Sequence, residues 1–172
     1  MLTDQAFHAA VNAARLLKAE AVIAPLTGLP ASLKVRAKEA RQARLKMLFE
    51  NVSLSIGASL DLMKALHPAA LSNAEGAVAL AFNPANFAAA GELPFLGGFR
   101  KLKRYVGYLA ISDGSRLGAP CVPGNGNGEV KELISILRCS SFKGWFSLGA
   151  APSAMLAFDE ITDGFYRLLD AC

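Results

Sequence analysis

Short apolar runs alternate with amphipathic segments along the whole chain, and this alternation constrains the fold more than any other feature. The clearest example spans residues 105–149: an apolar run at 105–111, a long loop rich in Gly and Pro, an amphipathic segment, and a second apolar run at 142–148. A strand, a helix and a second strand in this order predict two parallel strands joined by a right-handed crossover. The loop at 113–128 is longer than most connections, and ordered loops of that length are usually functional.

Five such apolar runs have the length and composition of buried strands. They lie at residues 21–25, 51–57, 77–83, 105–111 and 142–148. Six amphipathic segments are predicted to be helices, at about 4–18, 31–49, 59–67, 94–104, 129–138 and 153–170. Strict alternation of strands and helices predicts an α/β protein with a parallel sheet. No repeat or linker divides the sequence, so residues 1–172 are expected to form a single domain.

The composition excludes two classes of protein. Apolar residues make up 53% of the chain and charged residues 19%, which is too apolar for a disordered protein. The longest uncharged stretch, 76–91, is shorter than a membrane-spanning helix and is interrupted by Asn83, Pro84 and Asn86, so we expect no transmembrane segment. The apolar excess is instead expected from strands buried on both faces, or from a surface that another chain covers.

The cysteines and the N-terminus predict a cytoplasmic protein. The three cysteines, Cys121, Cys139 and Cys172, are an odd number without metal-ligand spacing, which is typical of a reducing compartment. The first residues lack the charged start and apolar core of a signal peptide.

Basic residues are concentrated at 34–46, within the predicted helix 31–49, and Glu39 is the one acidic residue among them. They are Lys34, Arg36, Lys38, Arg41, Arg44 and Lys46. Two interpretations remain open: a solvated outer helix face, which is the commoner case, and a surface that binds RNA or lipid. The net charge is only +4 and no nucleic-acid motif is present, so a nucleic-acid partner is not expected. A second basic cluster, at 100–104, suits a helix C-terminus.

In parallel α/β folds the reactive groups collect at the carboxyl ends of the strands. Those ends are predicted at Pro25, Gly57, Asn83, 111–113 and Gly149. Asp113 is the one titratable group among them, and a metal site normally needs three or four protein ligands, so we expect neither a metal nor another cofactor. The glycine-rich 124–128 precedes a helix and is open to two interpretations, a phosphate cradle or a flexible turn. It lacks the lysine of a P-loop, which favours the turn.

These segments together resemble the sugar phosphate isomerase/epimerase superfamily, the xylose-isomerase-like TIM barrels. Residues 123–149 are similar to the family's glycine-rich loop, seventh helix and eighth strand, where Gly-Glu-Gly is followed by Gly-Tyr-x-Gly-x-x-Ser-Leu-Glu. Residues 105–113 resemble the seventh strand, which usually ends His-x-Lys-Asp, and 79–87 resemble the sixth, usually Asp-x-x-His or Asp-x-x-Asn. Residues 51–57 resemble the fifth strand, which usually ends in Glu, and 19–28 resemble the fourth.

The resemblance implies an incomplete TIM barrel without the family's metal site. The family's barrel has eight strands, and this chain offers the last five of them. The family's metal ligands are Glu, Asp, His and Glu from strands five to eight, and the matching positions hold Gly57, Asn83, Ala110 and Gly149. Asp113 and Asn86 keep polar groups of the seventh- and sixth-strand motifs. The candidates for a catalytic role are therefore Asp113, Asn83 and Asn86, and no metal is expected.

Three functions are consistent with these features. The first is a non-catalytic relative of the barrel enzymes that acts as a structural or interaction subunit, paired with another protein or with itself as a homo-oligomer. The second is a sugar or sugar-phosphate isomerase or epimerase with a metal-free active site at Asp113 and the 113–128 loop, which would bind a small-molecule ligand. The third is an RNA- or membrane-associated accessory protein that uses the basic residues at 34–46. Five strands cannot close a barrel of this type, which favours the first.

Overall fold

The computed structural model describes residues 3–67, 78–149 and 156–172, and its centre is a parallel sheet of five strands. In spatial order these are β1 (Ala21–Pro25), β2 (Lys46–Glu50), β3 (Val78–Phe82), β4 (Val106–Ile111) and β7 (Trp145–Leu148). Two short strands, β5 (Asp113–Gly114) and β6 (Pro120–Cys121), form an antiparallel pair beyond the end of β4. The predicted α/β class with five parallel strands is confirmed.

Helices connect the strands of the sheet. They are α1 (Asp4–Leu16), α2 (Pro30–Gln42), α3 (Ile56–Leu66), α4 (Pro84–Ala89), α5 (Arg100–Leu102), α6 (Val130–Ser140) and α7 (Phe158–Asp170). A π-helical segment, Pro94–Phe99, leads into α5, so the helix predicted at 94–104 is present as a mixed helical run. The predicted start of the last helix, near residue 153, lies outside the described residues. No helix in the described part of the chain is long and apolar enough to cross a membrane.

The core lies on the helix side of the sheet. Val22 is paired with Met47, and Ala24 with Phe49, and all four side chains are buried. The helices contribute buried apolar side chains to the same cluster, among them Phe7, Val11, Leu33, Met63 and Leu133. Burying one large apolar side chain contributes about 1.5–3 kcal/mol, so this layer is the main source of the sheet's stability.

The prediction of one helix over 31–49 and a strand at 51–57 is wrong. The helix α2 ends at Gln42, β2 occupies Lys46–Glu50, and the segment 51–55 is not a strand. Arg44 adopts a left-handed backbone conformation with φ of 61°, which stops the helix without the Gly or Pro that usually marks such a stop. Lys, Met, Leu and Glu all favour helices, so local propensity hides a strand that forms by pairing with β1 and β3.

The corrected position of β2 also changes the position assigned to Gly57. Gly57 lies in the first turn of α3 and not at a strand end. Ser55 caps α3, since its Oγ accepts a hydrogen bond from the Ala58 N–H at 3.1 Å, whereas Ser59 is buried within the helix. The carboxyl end of β2 is therefore Glu50.

The cations predicted to share one helix face are distributed over several environments. Three are exposed on α2: Lys34, Lys38 and Arg41. Arg36 is instead buried, with its guanidinium 5.6 Å from the centre of the Phe7 ring. Arg44 lies in the turn after α2, and Lys46 is the first residue of β2. The six side chains therefore do not form the single basic face that a continuous helix would have given.

The concave side of the sheet is covered in part by its own side chains. Leu48 and Ala81, which alternate with the core residues of β2 and β3, are 2% and 1% exposed. The Lys46 ammonium lies 4.7 Å from the centre of the Trp145 ring, so the side chain reaches across two intervening strands. This contact joins side chains of β2 and β7 on one side of the sheet.

Within residues 3–67, 78–149 and 156–172, the two edges of the sheet are β1 and β7, since β1 pairs only with β2 and β7 only with β4. Ile23, in the middle of β1, is 44% exposed, and Phe146 of β7 is 56% exposed. An edge strand with exposed apolar side chains is a template for pairing with another chain. In the described part of the chain, the five strands thus form an open sheet whose two edges pair with no further strand.

Candidate functional site

Polar side chains line the carboxyl ends of β2, β3 and β4. Glu50 is the last residue of β2, Asn83 follows β3, and Ser112 follows β4. Asn83 Nδ2 donates a hydrogen bond to Glu50 Oε1 at 2.7 Å, and Ser112 Oγ donates to Asn83 Oδ1 at 2.6 Å. The three side chains form one hydrogen-bonded line across the strand ends, which we call the strand-end row.

Asn51 holds the middle of the strand-end row in place. Its buried side chain bonds to the main chain of Asn83 twice: Nδ2 donates to the carbonyl oxygen at 2.9 Å, and Oδ1 accepts from the N–H at 2.7 Å. Asn83 Oδ1 also accepts from the Ala85 N–H at 3.1 Å, which caps α4. Because Oδ1 already accepts two donors, Asn83 presents its NH₂ group to Glu50.

Asp113, the candidate acid or base, is surrounded by backbone amides. The side chain is 4% exposed. Its Oδ1 accepts hydrogen bonds from the N–H groups of Gly114 and Gly128 at 2.8 Å each, and its Oδ2 from those of Gly124 and Gly126 at 2.8 and 3.0 Å. A carboxylate has about four acceptor sites, so these bonds use its capacity. Asp113 organises its own loop and has no acceptor left for a substrate proton or a metal.

Backbone N–H groups of the glycine-rich 124–128 donate to Asp113 and not to an external phosphate. A Cβ atom at Gly128 would lie 2.7 Å from Asp113 Oδ1, and Gly124 has φ of 92°, so side chains are excluded where the backbone closes around the carboxylate. The loop therefore surrounds the buried Asp113 carboxylate, which belongs to the same chain.

Two further carboxylates hold helical segments together. Glu92 Oε2 accepts a hydrogen bond at 2.6 Å from the Ile56 N–H at the start of α3. Glu129 Oε2 accepts from the N–H groups of Phe95 and Leu96, at 2.7 and 3.3 Å, at the start of the π-helical segment. Both side chains therefore cap helix starts across the fold.

The remaining predicted positions supply no carboxylate or imidazole. Asn86 is half-buried on α4, three residues after Asn83. Ala110 is half-buried within β4. Gly149 follows β7, and its N–H donates to the Ile111 carbonyl oxygen at 3.2 Å.

Sequence reasoning missed Glu50, because the second strand was placed too late in the chain. A signal was present: residues 46–50 read Lys-Met-Leu-Phe-Glu, a short apolar run that ends in Glu. The family that the chain resembles usually ends its fifth strand in Glu as well. Glu50, and not Gly57, is the last residue of the second strand in this structure.

The imidazole of His67 belongs to the helix layer and not to the strand ends. The ring lies 5.3 Å from the Tyr105 ring, centre to centre. Burial lowers the pKa of His67 below its ordinary value; a backbone hydrogen bond to Val78 opposes this shift, and the nearby charge of Arg104 adds to it.

The structure has the fold of the xylose-isomerase-like TIM barrels. A xylose isomerase domain protein from Planctomyces limnophilus superimposes with a TM-score of 0.73 at 13% identity, covering 96% of this chain and 62% of that one. A D-tagatose 3-epimerase-like protein gives a TM-score of 0.74 at 14% identity, covering 97% and 68%. A xylose isomerase-like TIM barrel protein from Mycobacterium smegmatis, in complex with magnesium, gives 0.68 at 13% identity, covering 96% and 65%.

These likenesses establish the fold. The chain spans 62% to 68% of the length of the three structures. No protein-family model and no curated protein matches the sequence. A TIM barrel has eight strands and the sheet in the described residues has five, so these residues form an incomplete TIM-barrel-like fold.

The strand-end row does not fit the kind of metal that the magnesium-bound relative holds. Magnesium and zinc sites are built mainly from carboxylates and imidazoles. The row offers one carboxylate, Glu50, and the neighbouring Asn83 turns N–H groups, which repel a cation, towards it. Within residues 3–67, 78–149 and 156–172, no group of three or more His, Cys, Asp or Glu side chains is placed to hold a metal ion. This donor set gives no support to metal-dependent chemistry.

Proposed function

We propose that this chain is a non-catalytic member of the barrel fold class that acts as a structural or interaction subunit of a cytoplasmic protein assembly. The observation that carries the proposal is a contrast between two parts of the fold. The strand ends hold a closed hydrogen-bonded row, whereas both edges of the sheet are open and apolar.

The groups that could do chemistry are engaged in holding the fold. The Asp113 carboxylate accepts hydrogen bonds from four backbone N–H groups. Asn83 is hydrogen-bonded to Glu50, Ser112 and Asn51. A general base needs a free lone pair within hydrogen-bond reach of the proton that it takes. Asp113 offers none, which supports a role other than catalysis.

The open edges supply the reason for a partner. Ile23 and Phe146 expose apolar surface at opposite ends of the sheet. At about 25 cal/mol per Å², covering several hundred Å² of apolar surface contributes roughly 10 kcal/mol, which is comparable with the stability of a whole domain. A partner that covers these edges therefore gains a large driving force.

A pair of matched variants tests the proposal. Ile23→Lys places a charge on the β1 edge, and Val35→Lys places the same charge on the outer side of α2, where Val35 is 65% exposed. We expect Ile23→Lys to reduce the mass of the assembly in which the chain purifies, because an edge lysine opposes strand pairing. Val35→Lys should leave that mass unchanged. Native mass spectrometry measures both, and thermal unfolding shows whether each variant is folded.

An assembly that survives Ile23→Lys intact would count against the edge as an interface. Turnover of a sugar by the purified chain would count against the non-catalytic part of the proposal.

A second candidate, a metal-free sugar isomerase or epimerase, is favoured by one observation, the Glu50 carboxylate at the mouth of the sheet. A carboxylate there could remove a proton from a carbon next to a carbonyl group, with Ser112 nearby to bind the sugar. The test is exchange of carbon-bound hydrogen between D-tagatose and D₂O, with EDTA present, for the wild-type chain and for Glu50→Gln. Exchange that Glu50→Gln abolishes would establish this function; its absence in both supports the subunit.

A further inference from the structure

Two Asn-Gly pairs lie in the loop that surrounds Asp113, at 125–126 and 127–128. Asparagine is one of the thermolabile residues of proteins. Glycine as the next residue increases this lability, because it has no side chain to shield its backbone nitrogen and leaves the backbone free to bend. In a flexible chain both pairs would therefore be prone to deamidation. We call the loop 124–128, folded around the Asp113 carboxylate, the glycine wrap.

Deamidation of an Asn-Gly pair is an intramolecular substitution followed by hydrolysis, and water is its only co-reactant. The glycine nitrogen gives up its proton and attacks the asparagine Cγ. The N–Cγ bond forms, the bond from Cγ to the NH₂ group breaks, and ammonia leaves with the proton. Water then opens the succinimide ring at one of its two carbonyl carbons, which gives aspartate or isoaspartate. The glycine N–H must therefore be free to lose its proton and to turn towards Cγ.

Both of the attacking nitrogens are held by Asp113. The Gly126 N–H donates to Oδ2 at 3.0 Å, and the Gly128 N–H donates to Oδ1 at 2.8 Å. Loss of either proton would place a second negative charge beside the carboxylate, and like charges at this distance repel strongly. Asp113 is 4% exposed, so water screens this repulsion poorly. The carboxylate thus opposes the first step of deamidation at both pairs.

The two asparagines themselves are exposed, so burial of the side chain does not protect them. Asn127 is held in addition by its own amide groups: Oδ1 accepts from the Arg116 N–H at 3.2 Å, and its backbone N–H donates to the Gly114 carbonyl oxygen at 2.8 Å. Its Cγ cannot turn towards the Gly128 nitrogen while these contacts persist. Asn125 is held through its backbone N–H, which donates to the Val122 carbonyl oxygen at 2.9 Å.

We propose that Asn125 and Asn127 form a latent deamidation site, which the Asp113 carboxylate keeps unreactive while the glycine wrap is closed. Opening of the wrap frees both glycine N–H groups and starts the reaction. This assigns a chemical role to the wrap in addition to its structural one, and it is independent of the proposed function of the chain.

The modification prevents the wrap from closing again. Isoaspartate adds one carbon atom to the backbone between residue 125 or 127 and the following glycine, which displaces the N–H group that faced Asp113. Either product also brings a new carboxylate next to a buried one, and that repulsion is costly where water is excluded. A transient opening is therefore converted into a permanent change of the loop.

Peptide mass spectrometry after incubation at mildly alkaline pH tests the proposal on the whole chain. In the folded wild type, we expect deamidation at Asn125 and Asn127 to be at least about tenfold slower than in the urea-unfolded chain, because the reaction waits for the wrap to open. The Gly126 and Gly128 amides should also exchange hydrogen slowly in the folded chain. Equal deamidation rates in the folded and unfolded chain, or fast exchange at either glycine, would overturn the proposal, and both measurements use the wild type alone.

A pair of variants separates the carboxylate from the general stability of the fold. Asp113→Asn removes the charge, and Leu33→Ala creates a cavity in the core at α2, where Leu33 is fully buried. Both are compared at a temperature where urea unfolding shows that each is folded. We expect deamidation to be about tenfold faster in Asp113→Asn than in Leu33→Ala, since hydrogen bonds to a charged acceptor are the stronger ones. Equal rates in the two variants would show that the fold protects the pairs without the carboxylate, and would overturn the proposal.

Discussion

Asp113 shows how a residue with the attributes of a catalytic group can be a purely structural one. The sequence places it at the end of a strand and before a glycine-rich loop, and both features are typical of a site. The structure folds that loop back, so that four N–H groups meet one carboxylate. The path of a loop depends on contacts between distant residues, and for that reason the sequence could predict the position of Asp113 and not its role.

Replacing Asp113 by Asn should destabilise the fold by about 2–4 kcal/mol. The amide keeps one oxygen but turns an NH₂ group towards N–H donors that the carboxylate had satisfied. Urea unfolding measures the change, and Asp163→Asn on the exposed side of α7 is the matched control. Equal stability of the two variants would show that the glycine wrap does not depend on the charge.

His67 gives the stability a defined pH dependence. Its pKa in the folded chain is below the ordinary value of 6.5, so the unfolded chain binds the proton more readily. The contribution of His67 is therefore complete above pH 6.5 and is lost as the pH falls below that value. Urea unfolding at about pH 8 and about pH 5 should show a smaller loss on acidification in His67→Gln than in the wild type. The same loss in both would assign the dependence to other groups.

At the scale of secondary structure, β2 is the one strand of the five-stranded sheet whose position was not predicted from the sequence. Strands β1, β3, β4 and β7 overlap their predicted runs, because Val, Ile, Phe and Trp favour strands and turn residues bound them. Apart from Phe49, the residues of Lys46–Glu50 favour helices, and the segment follows a helix without a glycine. Its pairing with two neighbouring strands makes it a strand. This one misplaced element hid Glu50, which is one of the three side chains of the strand-end row.

The turn between α2 and β2 carries a conformational strain that a single substitution relieves. Arg44 has φ of 61°, a left-handed conformation that disfavours a side chain by about 1–2 kcal/mol. Arg44→Gly should therefore raise the free energy of unfolding by about 0.5–1 kcal/mol. Arg41→Gly, in the last turn of α2, is the control and should lower it by about 1 kcal/mol. Chemical denaturation measures both, and destabilisation by Arg44→Gly would mean that its side chain makes a contact worth more than the strain.

At the scale of the whole molecule, the fold combines a complete core with an incomplete sheet. The helix side of the sheet is packed, and 29 apolar residues of the described segments are buried. In those segments the two edges of the sheet do not pair with each other. The sequence predicted this incompleteness by comparing its five apolar runs with the eight strands of the family that it resembles.

The native mass of the purified chain during serial dilution, measured together with the binding of a hydrophobic dye, tests the central claim most directly. An open half-barrel should either remain in an assembly or, when it is alone, bind the dye through its exposed edges. Ile23 and Phe146 are exposed apolar side chains at these edges, and dye binding there is expected to disappear when a partner covers them. A chain that is monomeric when dilute, unfolds cooperatively and binds no dye would contradict the claim that the fold needs a partner.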